Sequence, residues 1–421
     1  MLFIPQQKGW NIPLNHVAKE LDSSALAENK TRRLWIATIL GSLSAFGPLS
    51  LDMYLPALPL LADDLSTSTS MAQLSLTACL IGLSVGQLFA GPISDVRGRR
   101  MPLLIGLILY ALSSFLCAVA PSIYTFIFLR FVQGLAGSAG IVIARATVRD
   151  LYSGTELTKF FALLMLINGI APIAAPIVGG QLLEFTSWHG VFVALGLIGA
   201  VMLLVVMLGL PETLPVNRRS KAGIGNTLAT FGGLVKDRVF MGYALSQGLV
   251  TAAMFAYIAG SPFVFQKIFG VSPQGFSMIF AMNGVGIIIA SQITGRLAGK
   301  VKETKLFVTG ILLAGLGGIT LLAMIVLDAG LVAVLVPLFF VVSSVGIVGA
   351  TGFSLAMQNQ SKAAGSASAL QGLLSFISGG IVAPLVGIGG EGTAVPMGIV
   401  MALATIGSIV CYLFMIRRKA A

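Results

Sequence analysis

The chain has 421 residues, of which 56% are hydrophobic and 10% are charged. A soluble domain is typically about a quarter charged, so this composition excludes a soluble globular protein and indicates a polytopic membrane protein. The formal net charge of +11 would favour nucleic-acid binding in a soluble protein. In a membrane protein the position of each basic residue matters more than the sum, so we expect no nucleic-acid partner.

Twelve apolar runs of membrane-spanning length follow a polar N-terminal segment. The polar segment, 1–33, lacks the apolar core of a signal peptide and is predicted to be a cytoplasmic tail. The runs, spans 1 to 12, lie at about 34–62, 71–92, 101–120, 122–146, 159–184, 189–210, 240–264, 274–296, 305–327, 330–355, 366–389 and 393–416. The sequence therefore predicts an all-α polytopic membrane protein with twelve transmembrane helices.

A long polar connector divides the spans into two groups of six. We predict an N-terminal bundle at 34–210, a cytoplasmic linker at 211–239, a C-terminal bundle at 240–416 and a C-terminal tail at 417–421. The run APIVG at 175–179 in span 5 resembles APLVG at 383–387 in span 11. Such repetition indicates two related halves, although small-residue patterns also recur by chance in glycine-rich membrane helices.

The orientation of the chain follows from its basic residues, which concentrate in the cytoplasmic loops of membrane proteins. With the N-terminus inside, nearly all Lys and Arg residues fall in the tails, in the connectors on the same side or at the adjacent helix ends. The opposite connectors carry several acids and one basic residue, Lys267. Both termini are therefore predicted to be cytoplasmic.

Asp52 is a carboxylate inside the apolar run of span 1. An ionisable group in lipid costs about 2.5–3.5 kcal/mol on insertion scales, and such groups usually face a cavity, a partner or an ion path. Asp52 is therefore a candidate for proton coupling. The alternative is a local hydrogen-bonding role near Tyr54 and Pro56.

Arg130 is the one basic residue left inside span 4 by the same orientation. Counting about 1.5 Å per residue from the outer helix ends places Asp52 and Arg130 at a similar depth, about 12–15 Å below the outer surface. We therefore predict that the two side chains meet. Pairing would keep Asp52 ionised and separation would favour its protonated form, which would make a proton switch. The alternative is that Arg130 snorkels outward.

The connector after span 2 reads GPISDVRGRR at 91–100. Its glycines permit a tight turn, and we predict that Asp95 lies at a helix N-terminus, where the helix dipole favours an anion. The arginines are expected to pair with acids on neighbouring helices and loops. A turn held by such contacts could act as a cytoplasmic gate, whereas the alternative is an ordinary basic loop. The gate residues are Gly91, Asp95, Arg97, Gly98, Arg99 and Arg100.

Span 5 contains a run of small residues and two prolines, which predicts a bend and close packing that seals one side of a cavity. The alternative is ordinary small-residue packing. The residues of this motif are Pro172, Ala175, Pro176, Gly179 and Gly180. Aromatic and amide side chains of other spans are candidates to line an adaptable substrate cavity, although most such residues in membrane helices face lipid. These candidates are Phe46, Tyr54, Gln133, Asn168, Gln247, Tyr257 and Asn283.

The 91–100 segment resembles the cytoplasmic signature of the major facilitator superfamily. The sequence LRFVQG at 129–134 is similar to the span 4 motif of proton-coupled members, and the resemblance places Arg130 on the arginine linked to proton transfer. The run at 175–180 resembles the span 5 antiporter motif, with Ala175 in place of its first glycine. The sequence at 51–59 resembles the Bcr/CflA group of bacterial drug exporters. The resemblance implies a monomeric exporter in the bacterial inner membrane.

Three classes of function are compatible with a polytopic membrane protein. The leading hypothesis is an exporter that exchanges small drug-like compounds for protons, driven by the proton gradient without a cofactor. The alternative is a proton symporter or facilitator for a sugar, nucleoside or organic acid. A membrane sensor or enzyme has little support, because the chain has two histidines, no phosphate-binding loop and no spacing suited to a metal site.

Overall fold

The computed structural model describes residues 35–152, 154–219, 232–358, 360 and 364–416. These residues form twelve long helices, α1 to α12, which correspond to spans 1 to 12. Their bounds are Trp35–Asp64, Thr69–Arg97, Arg100–Ala118, Ile123–Leu151, Gly154–Leu182, Trp188–Gly209, Arg238–Phe263, Pro273–Leu297, Glu303–Val326, Leu331–Met357, Ala364–Val386 and Val395–Met415. A π-helical turn, Val264–Ile268, extends α7. The predicted helical fold is confirmed.

The first span, α1, is interrupted in its middle. One helical segment, Phe46–Asp52, is followed by a short 3₁₀ turn, Leu55–Ala57, and a second segment, Leu58–Asp64. A proline in a helix has no N–H to donate, and its ring clashes with the carbonyl group four residues earlier. Pro56 is four residues after Asp52, so it ends the first segment at Asp52. The interruption leaves carbonyl groups at this end without helical partners.

The apolar core has one cluster within each half and another, in the outer part of the molecule, that includes residues of both halves. In the outer part of the first half, the Phe126 ring packs edge-on against Trp188 and Phe192, with ring centroids 5.7 and 5.1 Å away. In the second half, Phe307 and Tyr243 pack at 5.3 Å. Burial of these rings stabilises the packed helices. Each close aromatic pair contributes about 0.5–1.5 kcal/mol in addition to its burial.

The two halves meet mainly where α2 packs against α11 and α5 packs against α8. Hydrogen bonds cross this interface from Thr77 to the Gly380 carbonyl at 3.1 Å and from Gln73 to the Ala259 carbonyl at 3.0 Å. Within the described ranges, every hydrogen bond between the halves lies in the part of the membrane that is predicted to be outer. The described hydrogen bonds therefore join the halves on the outer side, and none of them joins the halves on the cytoplasmic side.

Candidate functional site

Arg130 is fully buried inside the first half, at 0% exposure. Its guanidinium donates to the Ser50 carbonyl at 2.7 Å and to the Gln133 side chain. The guanidinium carbon lies 4.4 Å from the ring centroid of Tyr54 and 5.5 Å from that of Phe192. A desolvated cation over aromatic rings gains about 2 kcal/mol. Arg130 therefore fastens α4 to α1 beside the interruption, and it does not snorkel outward.

A hydrogen-bonded network surrounds this arginine. Gln133 donates to the Ser114 hydroxyl at 2.7 Å, and that hydroxyl donates to the Tyr110 carbonyl at 2.6 Å. The Tyr110 hydroxyl lies 2.8 Å from the Ser50 hydroxyl. These hydrogen bonds form a closed network that joins α1, α3 and α4. A buried polar network of this kind fixes side-chain orientation, because breaking one bond leaves buried groups unsatisfied.

Asp52 lies at the end of the first segment of α1 and is buried, at 6% exposure. Within the residues that the structure describes, its carboxylate has no hydrogen-bond or ion-pair partner. Its neighbours place it at the interface, because Leu51 shares an apolar cluster with Phe255 of α7, in the other half, and Met53 shares one with Tyr257 of α7. The carboxylate is thus buried in protein next to the interface between the halves and is available to bind a proton.

The predicted pair between Asp52 and Arg130 is not formed. The two residues do lie at one level, because Arg130 binds the Ser50 carbonyl, two residues before Asp52. Side chains two residues apart on a helix point in nearly opposite directions, so the Asp52 side chain points away from that of Ser50, which contacts Tyr110 of α3 inside the first half. The expectation of direct pairing was wrong for this conformation.

The candidate cavity residues of the second half form hydrogen-bonded pairs. The Asn283 amide donates to the Tyr257 hydroxyl at 3.1 Å, and both residues are buried at 1% exposure. The Gln371 amide donates to Gln247 at 2.5 Å. Tyr257 and Asn283 therefore lie on the side of the interface that faces Asp52, and Gln247 lies nearer to the cytoplasm on the same helix as Tyr257.

The candidates of the first half lie in a different environment. Phe46, Tyr54 and Gln133 are buried at 1% exposure or less. Phe46 packs on Tyr110 with ring centroids 4.5 Å apart, while Tyr54 and Gln133 contact Arg130. In this conformation Tyr54 and Gln133 belong to the packed network around Arg130, whereas Phe46 joins that network through Tyr110 and also lines a groove between α1 and α6. The side chain of Asn168 lies outside the described residues.

The small-residue motif of α5 packs against α1 and α8. A Cβ atom at Gly179 would overlap the Met53 carbonyl at the interruption of α1. The Ser277 hydroxyl of α8 lies 2.7 Å from the Pro176 carbonyl, and a Cβ at Gly180 would overlap that hydroxyl. Small residues thus permit backbone contact between the halves. The motif, Pro172, Ala175, Pro176, Gly179 and Gly180, lies in the closed outer part of the interface.

An ion pair also joins the halves at the outer surface. The Lys267 ammonium lies 2.7 Å from the Asp63 carboxylate of α1 and 3.7 Å from Glu391, in the connector before α12. The preceding residue, Gln266, donates to the Pro56 carbonyl at 3.1 Å. The single basic residue that the sequence places on the outer side therefore bridges acids from both halves and holds the outer side closed.

Breaking the outer ion pair is expected to shift the protein modestly toward an outward-open conformation. Partly exposed pairs contribute about 0.2–1 kcal/mol, so Lys267→Gln and Asp63→Asn should each change the population ratio by less than about fivefold. The double variant should add little to either single change. Spin-label distances between the outer ends of the halves measure the ratio. The control is Asp328→Asn, which removes the same negative charge as Asp63→Asn but from an outer connector. An equal shift of the population ratio in this control would contradict the assignment.

A second cluster of charges lies at the cytoplasmic end of α2. Arg99 is buried at 6% exposure and pairs with Asp95 at 2.5 Å and with Asp150 of α4 at 2.8 Å. Its guanidinium also donates to the Ser94 hydroxyl at 2.7 Å. Burial lowers the pKa of Arg99, but hydrogen bonds and charge from its two acidic partners outweigh burial and raise it. The arginine therefore stays charged and clamps α2 to α4.

Glu212 follows α6 and caps the N-terminus of α3. Its carboxylate accepts from the backbone N–H groups of Arg99 at 2.8 Å and Arg100 at 3.2 Å. The helix dipole and unpaired N–H groups at a helix start favour an anion here. Burial raises the pKa of Glu212, but backbone hydrogen bonds and the Arg219 charge lower it by more, so the net pKa is below its usual value.

The same region corrects two predictions. Asp95 lies in the last turn of α2, not at a helix N-terminus, because α2 continues through Pro92 to Arg97. Gly91 accordingly lies inside the helix, and the turn is made at Gly98, whose φ of +91° favours glycine. Arg97 is exposed at the end of α2. The Arg100 guanidinium donates to the Met207 carbonyl at 2.6 Å.

Glu212→Gln is expected to destabilise the protein in a pH-dependent way. Because the pKa of Glu212 is lower when folded, its carboxylate stabilises the fold above the unfolded pKa near 4.3, and this effect is lost as pH falls through the folded pKa. We expect the variant to melt about 2 °C below wild type at pH 7 and to match it under acid conditions. Glu184→Gln, in an outer loop, is the control. A pH-independent difference would contradict this origin.

Sequence reasoning missed Asp150, Glu212 and the bridging role of Lys267. Asp150 follows Arg149 at the end of span 4, and Glu212 follows Pro211 at the end of span 6. Their position at the cytoplasmic ends of spans was the signal that could have identified these two acids, since a buried arginine in the 91–100 segment needs acidic partners. Their partners lie 51 and 113 residues away in the chain, and only the folded bundle brings them together.

Twelve helices in two halves, which the described hydrogen bonds join on one side of the membrane, with an ionisable group at the interface, are the architecture of a membrane transporter. The family model described as Major Facilitator Superfamily matches residues 34–384. The chain belongs to this superfamily, as the 91–100 segment predicted, and is a multi-pass protein of the bacterial inner membrane. The predictions of a non-enzymatic transporter and of the drug-efflux branch agree with its relatives.

Three comparisons define the nature of these relatives. The chain is 49% identical to an uncharacterized MFS-type transporter, YdgK, of Bacillus subtilis over 90% of this chain and 94% of that protein. It is 31% identical to a bicyclomycin resistance protein homolog of Haemophilus influenzae, over 93% and 98% respectively. Among solved structures, it resembles the nucleoside transporter NupG with a TM-score of 0.72 at 15% identity, covering 91% of this chain and 99% of that one. The last similarity bears on the fold alone.

Proposed function

We propose that this transporter exports small, partly apolar compounds from the cytoplasm in exchange for protons. The observation that carries the proposal is the buried Asp52 carboxylate, which has no partner in the described part of the chain and lies at the interface between the halves. A carboxylate in this setting binds a proton readily, because burial without a partner disfavours its charge. The name of the bicyclomycin resistance relative supports export of a drug-like compound.

The exchange follows from alternating access. In the cytoplasm-facing state, a substrate enters between the halves and the Asp52 proton is released to the cytoplasm. The outer contacts at α5, α8 and Lys267 then open while the cytoplasmic side closes. In the outward-facing state, the substrate leaves and Asp52 takes up a proton from outside. Arg130 acts as a positioning residue, since it holds the Ser50 carbonyl and thereby the end of α1 that carries Asp52.

The proton gradient supplies enough free energy for this work. One proton moving inward down about 100 mV yields about 2.3 kcal/mol, and one pH unit adds about 1.4 kcal/mol. Together these sustain a gradient of a few hundred-fold for a neutral compound. The proposal therefore needs no nucleotide or other cofactor. It also takes the chain to work as a monomer, as the family resemblance implies.

Transport by proteoliposomes under an imposed pH gradient tests the proposal. The protein is reconstituted, and bicyclomycin is offered as the probe compound with a pH gradient of either sign. Export by exchange predicts that bicyclomycin accumulates on the more acidic side and that a protonophore abolishes the accumulation. Accumulation on the opposite side would establish a symporter instead, and equilibration that is indifferent to pH would show a facilitator.

A further inference from the structure

Arg145 is a partly buried cation that the proposed cycle does not use. It lies in the cytoplasmic part of α4, and its Nε atom is buried without a hydrogen-bond partner. Within the described residues no carboxylate pairs with it, and the charge that acts on it is that of another cation, Arg149. The buried Nε–H group would gain from an anion beside the guanidinium, because no described partner offsets its desolvation.

The position of Arg145 on α4 indicates what it faces. Residues four and seven apart share one face of a helix, so Arg145 lies on the face of Ile141 and Ser138. A Cβ at Gly47 of α1 would contact Ile141 at 3.0 Å, and Ile141 belongs to one apolar cluster with Phe255 of the second half. The Ile141 part of this face therefore lies near the interface between the halves, whereas Ser138 packs against α2 of the first half.

Depth places Arg145 at the cytoplasmic mouth of the passage between the halves. It lies fifteen residues beyond Arg130, which is about 22 Å along a helix toward the cytoplasm. On this side no described hydrogen bond joins the halves. A substrate coming from the cytoplasm would reach this guanidinium before it reached Asp52.

The acids at this end of the described structure are already engaged. Asp150 pairs with Arg99, Glu303 accepts from the Ser354 hydroxyl at 2.9 Å, and Asp237 caps the N-terminus of α7. None of them is positioned to neutralise Arg145. Among the described residues the protein therefore supplies no anion to Arg145, and a ligand could supply one.

We propose that Arg145 binds the acidic group of the substrate, so that the transported compounds include amphipathic carboxylates. This inference rests on the proposed function and names a substrate class for it. The carboxylate pairs with Arg145 at the cytoplasmic mouth while the apolar part of the compound contacts the interface near Ile141 and Phe255. An arginine suits this role because its planar guanidinium can bind both oxygens of a carboxylate.

Equilibrium binding to the purified full-length protein tests the site without transport. The probes are a carboxyl-rhodamine with a free carboxylate and the methyl ester of the same dye, measured by fluorescence anisotropy. Wild type is expected to bind the carboxylate more tightly than the ester. Arg145→Gln should weaken carboxylate binding about 10- to 100-fold and leave ester binding unchanged. Arg145→Lys should retain part of the preference, and Arg149→Gln, an exposed neighbour with the same charge change, should retain all of it.

Several outcomes would overturn the inference. The inference fails if wild type does not bind the carboxylate dye, or if it binds the two dyes with equal affinity. It also fails if Arg145→Gln and Arg149→Gln lose equal affinity for the carboxylate dye, because that would show only a general effect of positive potential. Equal loss of both dyes in Arg145→Gln would show a structural role and would also overturn it. These binding results are independent of proton coupling, so loss of the anion site leaves the exchange proposal standing and is distinguishable from its failure.

Discussion

Replacing Asp52 with Asn is expected to abolish proton-driven accumulation of substrate while downhill equilibration persists. Asn has nearly the same shape as a protonated Asp but cannot release a proton, so the variant can still alternate between conformations. Accumulation should fall from a few hundred-fold to about onefold, the value without a driving force. Substrate counterflow, which needs no net proton movement, should continue, and the pH dependence of transport should disappear.

The comparison uses proteoliposomes containing equal amounts of wild type, Asp52→Asn and Asp328→Asn. The last variant removes an acid from an exposed outer connector and should behave as wild type. Asp52→Glu should retain coupling with altered pH dependence, because the carboxylate is kept at a slightly different position. Wild-type accumulation in Asp52→Asn would remove Asp52 from the coupling step.

Arg130→Ala is expected to reduce transport at least about tenfold, because it breaks the network that positions α1. The change leaves the Ser50 carbonyl and the Gln133 side chain buried without their donor. Each unsatisfied group costs about 1–3 kcal/mol of stability. It also removes the cation that lies over Tyr54. Initial transport rates and melting temperature in the same detergent measure the two consequences.

Arg130→Lys separates charge from geometry. Lysine keeps the positive charge, but its single ammonium lacks the planar fork that reaches Ser50 and Gln133 together. If positioning matters, Arg130→Lys should lose most of the activity and show an altered pH profile while its melting temperature falls less than that of Arg130→Ala. Ser114→Ala, which removes a peripheral bond of the network, is the mild control. Full activity in Arg130→Lys would show that charge alone is sufficient.

The fold was predictable because membrane-spanning helices require long apolar runs. Hydropathy located all twelve helices, and the bias of Lys and Arg toward one side predicted their orientation. The end of α2 was placed too early, at Pro92, because a proline usually ends or kinks a helix. In the structure α2 continues to Arg97, and the turn falls at Gly98.

The sequence predicted the depth of the candidate site in the membrane but not the directions in which its side chains point. Counting residues placed Asp52 and Arg130 at one depth, and the bond from Arg130 to the Ser50 carbonyl agrees with that. Which way each side chain points depends on the local interruption of α1, and the effect of Pro56 on the rotation of the helix cannot be read from spacing. The Glu212 cap and the Lys267 bridge depend on contacts between distant parts of the chain, which one sequence does not reveal.

The interruption of α1 connects these findings. Pro56 ends a helical segment at Asp52, and the open backbone at that end is satisfied by Arg130 at Ser50 and packed by Gly179 at Met53. The same few residues therefore carry the acid, its positioning cation and the outer contact with α5. A movement that opens the outer side must change the surroundings of Asp52, which is the physical link between conformation and proton binding.

Infrared difference spectroscopy of the protein in lipid tests the central claim most directly. The pH is stepped across the range in which transport responds to it, and the protonated-carboxyl band is recorded for wild type and Asp52→Asn. We predict a band that appears and disappears with pH in wild type and is missing from Asp52→Asn. An identical band in both proteins would contradict the assignment of the exchanged proton to Asp52.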